Sequence, residues 1–513
     1  MNTHCLLLLV FKFILLGGCL GSAFNTFRPL PLGSRVPVSE LEFQGDALRA
    51  FVVREIDNHR YARAYFALDL LKTRPYTELQ LGNARGADNT RDLRPVVGPL
   101  RSADNVRRGL TIVKRPGQQH SANHTSRAYW NYLRLFERRV GVVHNKDPGL
   151  PYSYAARRAY GVTSVEETHL MFSADEAFLS FVVHGERIFG FLIAGGSLVV
   201  RPLSWPSERL RQVLRHLREH VRAPPMLESP DAWITEAAEL HDAILGPFTR
   251  ELRDPRLRAL FVSPDAFLAN LPFALLLEPD DQGRRPIVER LRITYLPSVS
   301  VYRQLLDRPL LNEPPRVLAV ANAIYPPNVD SLPFAEREAV TVSELFPGST
   351  FLAGSAATEE RVIALAPRHN ILHLATHGIL LDDIASGASS LLMTADTGHD
   401  GFLSVSEITS LDLTQTYIAV LSACDTATVT EHSSADLSTL TSAFLGAGAP
   451  SVIGSLWQVE DQSTTLLMLE FYKRFLEIGA AEALRQAMLG VRMDRRFAHP
   501  FYWGAFALYG WDK

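Results

Sequence analysis

The chain has 513 residues, 47% hydrophobic and 21% charged, with a net charge of −3. That is the make-up of a globular protein with a large core, and the length suggests about three domains. Near-balanced charge excludes the global basic field that recruits nucleic acid, so no nucleic-acid partner is expected.

The N-terminal stretch CLLLLVFKFILLGGCLGSAF, residues 5–24, is apolar except for Lys12. A secretory h-region needs ~7–15 apolar residues and small residues at the cut, and a stretch of this length could also remain as a single anchor helix. Leu16-Gly17-Gly18-Cys19 resembles a lipobox, which makes Cys19 a candidate lipidation site, whereas Gly21-Ser22-Ala23 suits an ordinary signal peptidase. Lys12, and the lack of Lys or Arg at residues 2–5, argue against export; the alternative is a mis-called start codon or a buried helix, in a cytoplasmic protein. The expectation is a signal peptide or membrane anchor over 1–23, and an exported or membrane-anchored protein attached through residues 5–24.

Residues 24–160 are expected to form a helical N-terminal region that could meet a regulatory protein partner. Residues 47–71 look like one helix, 82–105 like a loop and 126–143 like another helix. No 20–50-residue period marks a repeat array. Asn123-His124-Thr125 fits a glycosylation sequon.

From 168 to 203 short β-type runs separated by polar or Gly turns predict an antiparallel meander. SERLRQVLRHLREHVR, residues 207–222, is an amphipathic helix with arginines on its outer face, read as a solvated face. Strands and helices then alternate. Strands are predicted at 258–264, 292–298, 316–322, 349–354, 370–378, 417–424 and 451–457. Helices are predicted at 336–346, at 358–366, and through Ile478 after a cap at Asp461 or Ser463. This alternation implies βαβ units and an α/β fold with a mostly parallel sheet flanked by helices.

In such sheets ligands sit at the carboxyl ends of strands. Two strands end in chemistry: 370–378 in Thr376-His377-Gly378, and 417–424 in Ala423-Cys424-Asp425. The other cysteines, Cys5 and Cys19, lie in the apolar N-terminus, so Cys424 has no disulfide partner in the folded body, and no CxxC zinc knuckle exists. Cys424 is then a buried small hydrophobe or a working thiol. An imidazole beside a thiol takes its proton and later protonates a leaving amine. Backbone N–H groups of Gly378 and Cys424 are candidates for an oxyanion hole. His373 and His377 are four apart, which on a helix would suit zinc. The β-type run reads as a strand, with no third ligand and no HExxH, so no metal or other cofactor is expected and His373 reads as an interior histidine.

Seven blocks in order resemble the CHAT family of caspase-like cysteine peptidases, related to separase and the caspases. They include LFVSPDAFLANLPFALLLEP, LPFAEREAVTVSELFPGSTFLAGSAATEERV, HLATHG, VLSACDTA, TSAFLGAGAPSVIGSLWQVED and HPFYWGAFALYG. The resemblance covers about 165–513. It implies a caspase-like sheet, with 165–310 as a β-rich or α/β N-terminal half-domain and 315–513 as the catalytic half. It implies a cysteine endopeptidase acting on a protein substrate, with His377 as general base and Cys424 as nucleophile. Asp425, Glu460 and Asp461 could line a pocket for a basic residue, although acids at 460 and 461 also suit a helix start. Val429 and Ser434-Ala435-Asp436 depart from the family pattern beside the nucleophile. The alternative reading is a catalytically silent CHAT-like interaction or regulatory module.

Overall fold

A computed structural model describes residues 38–86, 163–225, 231–281, 283–306, 313–326, 329–379, 389–423, 426–428 and 439–511. The apolar stretch 5–24 with Cys19, the sequon, the expected helix 126–143, and Cys424, Asp425, Val429 and residues 434–436 lie outside the described residues. The described residues fall into two compact units, one comprising 38–70 with Thr163, the other 71–86 with 164–511.

In the first unit the helix expected over 47–71 is two helices, α1 (Val38–Asp57) and the start of α2 (Tyr61–Gly86). His59 adopts a left-handed φ of 55°. Its N–H donates to Ile56 O at 2.8 Å, and Arg60 N–H to Glu55 O at 2.8 Å. That pair of bonds is a Schellman ending, which satisfies the last carbonyls of α1 and turns the chain. Apolar periodicity continues across the break, so the sequence pattern does not reveal it.

The second unit is built on an eleven-stranded sheet. Its strands are β1 (Glu176–His184), β2 (Arg187–Ala194), β3 (Ser197–Pro202), β4 (Ala259–Ser263), β7 (Arg292–Tyr295), β8 (Val317–Ala323), β9 (Thr350–Gly354), β10 (Ile371–Ala375), β14 (Ile418–Leu421), β15 (Ser451–Ser455) and β16 (Phe506–Gly510). Two small sheets complete the numbering: β5 (Leu277–Asp280) with β6 (Gly283–Pro286), and β11 (Gly378–Ile379) with β12 (Ser390–Leu392) and β13 (Phe402–Ser404). The large sheet runs β3-β2-β1-β4-β7-β16-β15-β14-β10-β8-β9. β1–β3 form the expected antiparallel meander. The other neighbours are parallel except β15 with β16, so the sheet is mostly parallel.

That antiparallel pair has a geometric consequence. β16 runs with β7, β4 and β1, and against β15, β14, β10, β8 and β9. The carboxyl ends of β1 and β4 therefore lie at one edge of the sheet, and those of β10 and β14 at the opposite edge.

The parallel strands read as near-continuous apolar runs because both faces are covered. Ile371 and Ala375 of β10 enter one apolar cluster, while Leu372 and Leu374 enter the other. The first cluster is shared with α4 (Pro333–Glu344), through Ala335, Ala339 and Val342. It is shared too with α6 (Asp461–Tyr472), through Leu467, Met468 and Phe471, and with α7 (Ala480–Met493). The second is shared with α5 (Leu440–Ala447). The basic helix expected over 207–222 is α3 (Ser207–Val221), its Leu210, Leu214, Leu217 and Val221 buried. Among the described residues no helix is long and apolar enough to cross a membrane.

Candidate active site

β10 and β14 are adjacent and parallel, with Leu374 opposite Leu421. The predicted strand 370–378 is shorter than expected: it leaves the large sheet after Ala375, and Gly378 and Ile379 pair with β12 instead. Thr376 and His377 are thus the turn between two sheets. Thr376, buried, donates its hydroxyl to Leu392 O at 2.5 Å, and Leu392 N–H donates to His377 O at 2.9 Å. That second bond makes 377 and 392 the hydrogen-bonded pair. By the alternation of an antiparallel ladder, Gly378 N–H faces away from β12. An oxyanion-hole donor needs that freedom from its own sheet.

His377 is half-buried. Its Nε2 lies 2.8 Å from Asp330 O. A carbonyl only accepts, so Nε2 carries a proton, and of the two neutral tautomers this contact selects the one with its lone pair on Nδ1. The Tyr325 ring stands edge-on to the imidazole, with centroids 4.7 Å apart and planes at 74°. The Tyr325 hydroxyl is 3.0 Å from Thr376 Oγ1, which donates onward to Leu392 O. Burial, first of all, pushes the Tyr325 phenol above its ordinary value, so it stays protonated. Sequence reasoning missed Asp330 and Tyr325. The Asp330 contribution is a backbone oxygen, which leaves no residue-type signature.

Cys424 and Asp425 lie outside the described residues, but their neighbours on each side do not. Ala423 O accepts the Ser455 hydroxyl. Thr426 Oγ1 accepts Ser455 N–H at 2.8 Å, Ala427 N–H donates to Ser455 O at 2.9 Å, and Thr428 Oγ1 to Leu456 O at 3.0 Å. Thr426 is fully buried. The chain before and after the two residues is therefore fastened to the end of β15.

Glu460 and Asp461 divide their roles differently from expectation. Glu460 is the N-cap of α6, its carboxylate accepting Ser463 N–H at 2.7 Å. The cap predicted at Asp461 or Ser463 falls one residue earlier because Glu460 has the extended backbone, φ −88° and ψ 135°, that a cap requires. Asp461 turns across to α4 and accepts Phe334 N–H at 3.2 Å. Its carboxyl is raised above the ordinary value by burial first, with Glu338 and Glu460 adding to the rise. The Phe334 N–H and His377 oppose it.

His373 does not join His377. On a strand, residues four apart are about 13 Å apart along the chain. His373 is fully buried on the face toward α4 and α6. Its Nδ1 lies 3.2 Å from the Tyr472 hydroxyl. Its Nε2 lies 3.0 Å from Glu338 Oε1, close but off the line of a hydrogen bond. Burial, with the Glu338 carboxylate behind it, holds the Tyr472 phenol well above its ordinary value. The cluster draws together β10, α4 and α6 within the core.

The sheet is that of an α/β protein, mostly parallel, with His377 just beyond the carboxyl end of β10. The CHAT domain model matches residues 235–511, more than half of the chain, and the protein belongs to that family. Among curated proteins it is similar to Tetratricopeptide repeat protein 28 of Homo sapiens, 28% identical over 325 residues. The Mus musculus protein of the same name is 28% identical over 330 residues. Each match covers 53% of this chain and 13% of the relative, so the chain spans only a small part of their length. Among solved structures it resembles separase of the Saccharomyces cerevisiae separase–securin complex, with a TM-score of 0.47 and 12% identity over 92% of this chain and 37% of that one. It also resembles the Arg-specific cysteine proteinase gingipain R, with a TM-score of 0.38 and 11% identity over 59% of this chain and 74% of that one.

Proposed function

We propose that this CHAT protein is a cysteine endopeptidase in which His377 and Cys424 act as a dyad. The observation that carries the reading is the His377 tautomer: Nε2–H is donated to Asp330 O, so Nδ1 holds the lone pair that a base needs. Nδ1 takes the proton of the Cys424 thiol, and the thiolate attacks a peptide carbonyl carbon. The oxyanion that forms is met by N–H groups of Gly378 and Cys424. The imidazolium returns its proton to the leaving amine as the C–N bond breaks, leaving a thioester. Water, deprotonated by the same imidazole, then releases the acid and regenerates the thiol.

Asp461 and Asp425 supply the negative charge for a basic side chain next to the scissile bond. Glu460 is engaged in capping and drops out of that pocket. A protein substrate, and a protein partner meeting the N-terminal region, complete the proposal. The curated relatives are named for tetratricopeptide repeats. Export or anchoring through residues 5–24, with Cys19 as a lipidation site, stays part of it. One observation favours a second reading, a silent interaction module: those relatives' names carry a repeat and not a hydrolytic activity.

The test is a peptide panel with Arg, Lys or neutral side chains before the scissile bond, given to the full chain and to Cys424→Ala. The parent should cleave after basic residues and the variant should lose more than ~10³-fold, as when a nucleophile is removed. Equal cleavage by both would contradict the mechanism. A parent that neither cleaves nor labels at Cys424 would select the silent module.

A further inference from the structure

His377 owes its tautomer to one carbonyl, that of Asp330, and Asp330 sits in a connection between β8 and α4. Asn322, the last residue but one of β8, governs the shape of that connection. The pairing of β8 with β9 is in register through Ala321 and shifts at Ala323, which makes Asn322 a bulge residue. Its φ is 43°, in the left-handed region that Asn enters more readily than other non-glycine residues, which suits it to the bulge. Bulges of this kind re-aim a chain beside a functional site.

The side chain then closes the loop from inside. Asn322 Oδ1 accepts Leu332 N–H at 2.9 Å, and Nδ2 donates to Glu336 Oε2 at 2.8 Å. The amide orientation is fixed by its partners, since an N–H must meet oxygen and a carboxylate must meet NH₂. One residue at the start of the loop thus holds both its end and the first turn of α4. Ile324 N–H, at the start of the loop, donates to Thr394 Oγ1 at 2.9 Å. Between these anchors lie the two groups that touch the imidazole, the Tyr325 ring and Asp330 O.

We propose that Asn322 is a positioning residue for the dyad: its paired bonds to Leu332 and Glu336 set the place of Asp330 O and so hold His377 in the Nε2–H form. The role is assigned for the reaction proposed above and rests on it. Asn322 touches no substrate and acts through the loop.

The experiment uses the full chain and four proteins: the parent, Asn322→Ala, Asn322→Asp, and Asn322→Asp combined with Glu336→Gln. The double variant exchanges donor and acceptor, because the new carboxylate accepts both Leu332 N–H and the Gln amide. Each protein is read by the ring-nitrogen tautomer of ¹⁵N-labelled His377, by kcat and KM separately, and by thermal midpoint. Asn322→Ala and Asn322→Asp should mix the tautomers and lower kcat by roughly 10–100-fold, the usual effect of a small misplacement, with KM within about threefold. The double variant should restore the Nε2–H form and most of kcat. Either single variant keeping the parent tautomer, or a double variant no better than Asn322→Asp, overturns the proposal. A parent without cleavage whose His377 tautomer still follows the predicted series supports the clamp and instead refutes the peptidase reading.

Discussion

At the carboxyl end of β4, Ser263 O, Ser263 Oγ, Pro264 O and the neighbouring Ser180 Oγ of β1 close on the Lys72 ammonium, at 2.6 to 3.0 Å. At the carboxyl ends of β10 and β14, on the opposite edge, no such cation enters among the described residues. His377 is half-buried there, with Nε2–H held by Asp330 O. Both edges present strand-end oxygens and hydroxyls, as open parallel sheets do. In the first half, α2 delivers an internal ligand to them, and Thr73 beside it bonds Ser298 Oγ at 2.6 Å. The loop after β4 is also drawn in, since Asp265 Oδ2 accepts Val183 N–H at 2.8 Å. The difference teaches that a strand-end position marks a candidate site only where the fold has not used that position's polar groups itself.

Filling the closed edge with an apolar stem should produce the larger effect. Lys72→Met keeps the packing of the four-carbon stem but removes the donor from four oxygens, three of them buried. Unsatisfied buried acceptors cost about 1–3 kcal/mol each before relaxation, so a loss of about 2–4 kcal/mol in total is expected. Chemical denaturation measures it. The folded fraction should keep its Cys424 labelling rate, because the altered edge is the far one. A variant of unchanged stability whose labelling is lost would show that the edges are coupled and the contrast drawn here is wrong.

A smaller, pH-dependent effect belongs to the open edge. Glu359 starts the helix 359–365, is fully buried, and accepts Gly401 N–H at 2.9 Å next to the β11–β13 sheet. Its carboxyl is pushed up from 4.5 to about 7, by burial first and then by the Glu407 side chain. The folded state thus holds a proton that the unfolded chain has already lost. Stability is full below about 4.5, declines as pH rises toward about 7, and stays at the lower level above it. Glu359→Gln removes this dependence. Its thermal midpoint should exceed the parent's by a few degrees at pH 8 and match it near pH 4. A constant difference across that range would assign the effect to something other than titration.

The open edge was legible because its signals are side chains at the ends of apolar runs. The run before His377 is buried on both faces and alternates between two clusters, as its β-type composition implied, and His373 is the interior histidine expected. The closed edge was not legible. Lys72 stands in a ragged helical stretch, and its oxygens come from residues 108 to 192 positions away. Asp330 acts through its backbone, and Asn322 looks like any polar residue ending a strand. The break at His59 and the cap at Glu460 are set by backbone conformation, which periodicity does not report.

The central claim is that His377 activates Cys424. It is tested most directly by the rate of alkylation of Cys424 against pH, followed by peptide mass analysis in the parent and in His377→Ala. An unassisted thiol has its inflection near ~8.5. The parent should react with an inflection well below that value, and His377→Ala should return it to the unassisted range, with a rate at neutral pH lower by at least ~10-fold. Superimposable profiles, or an inflection near ~8.5 in both proteins, would contradict the account.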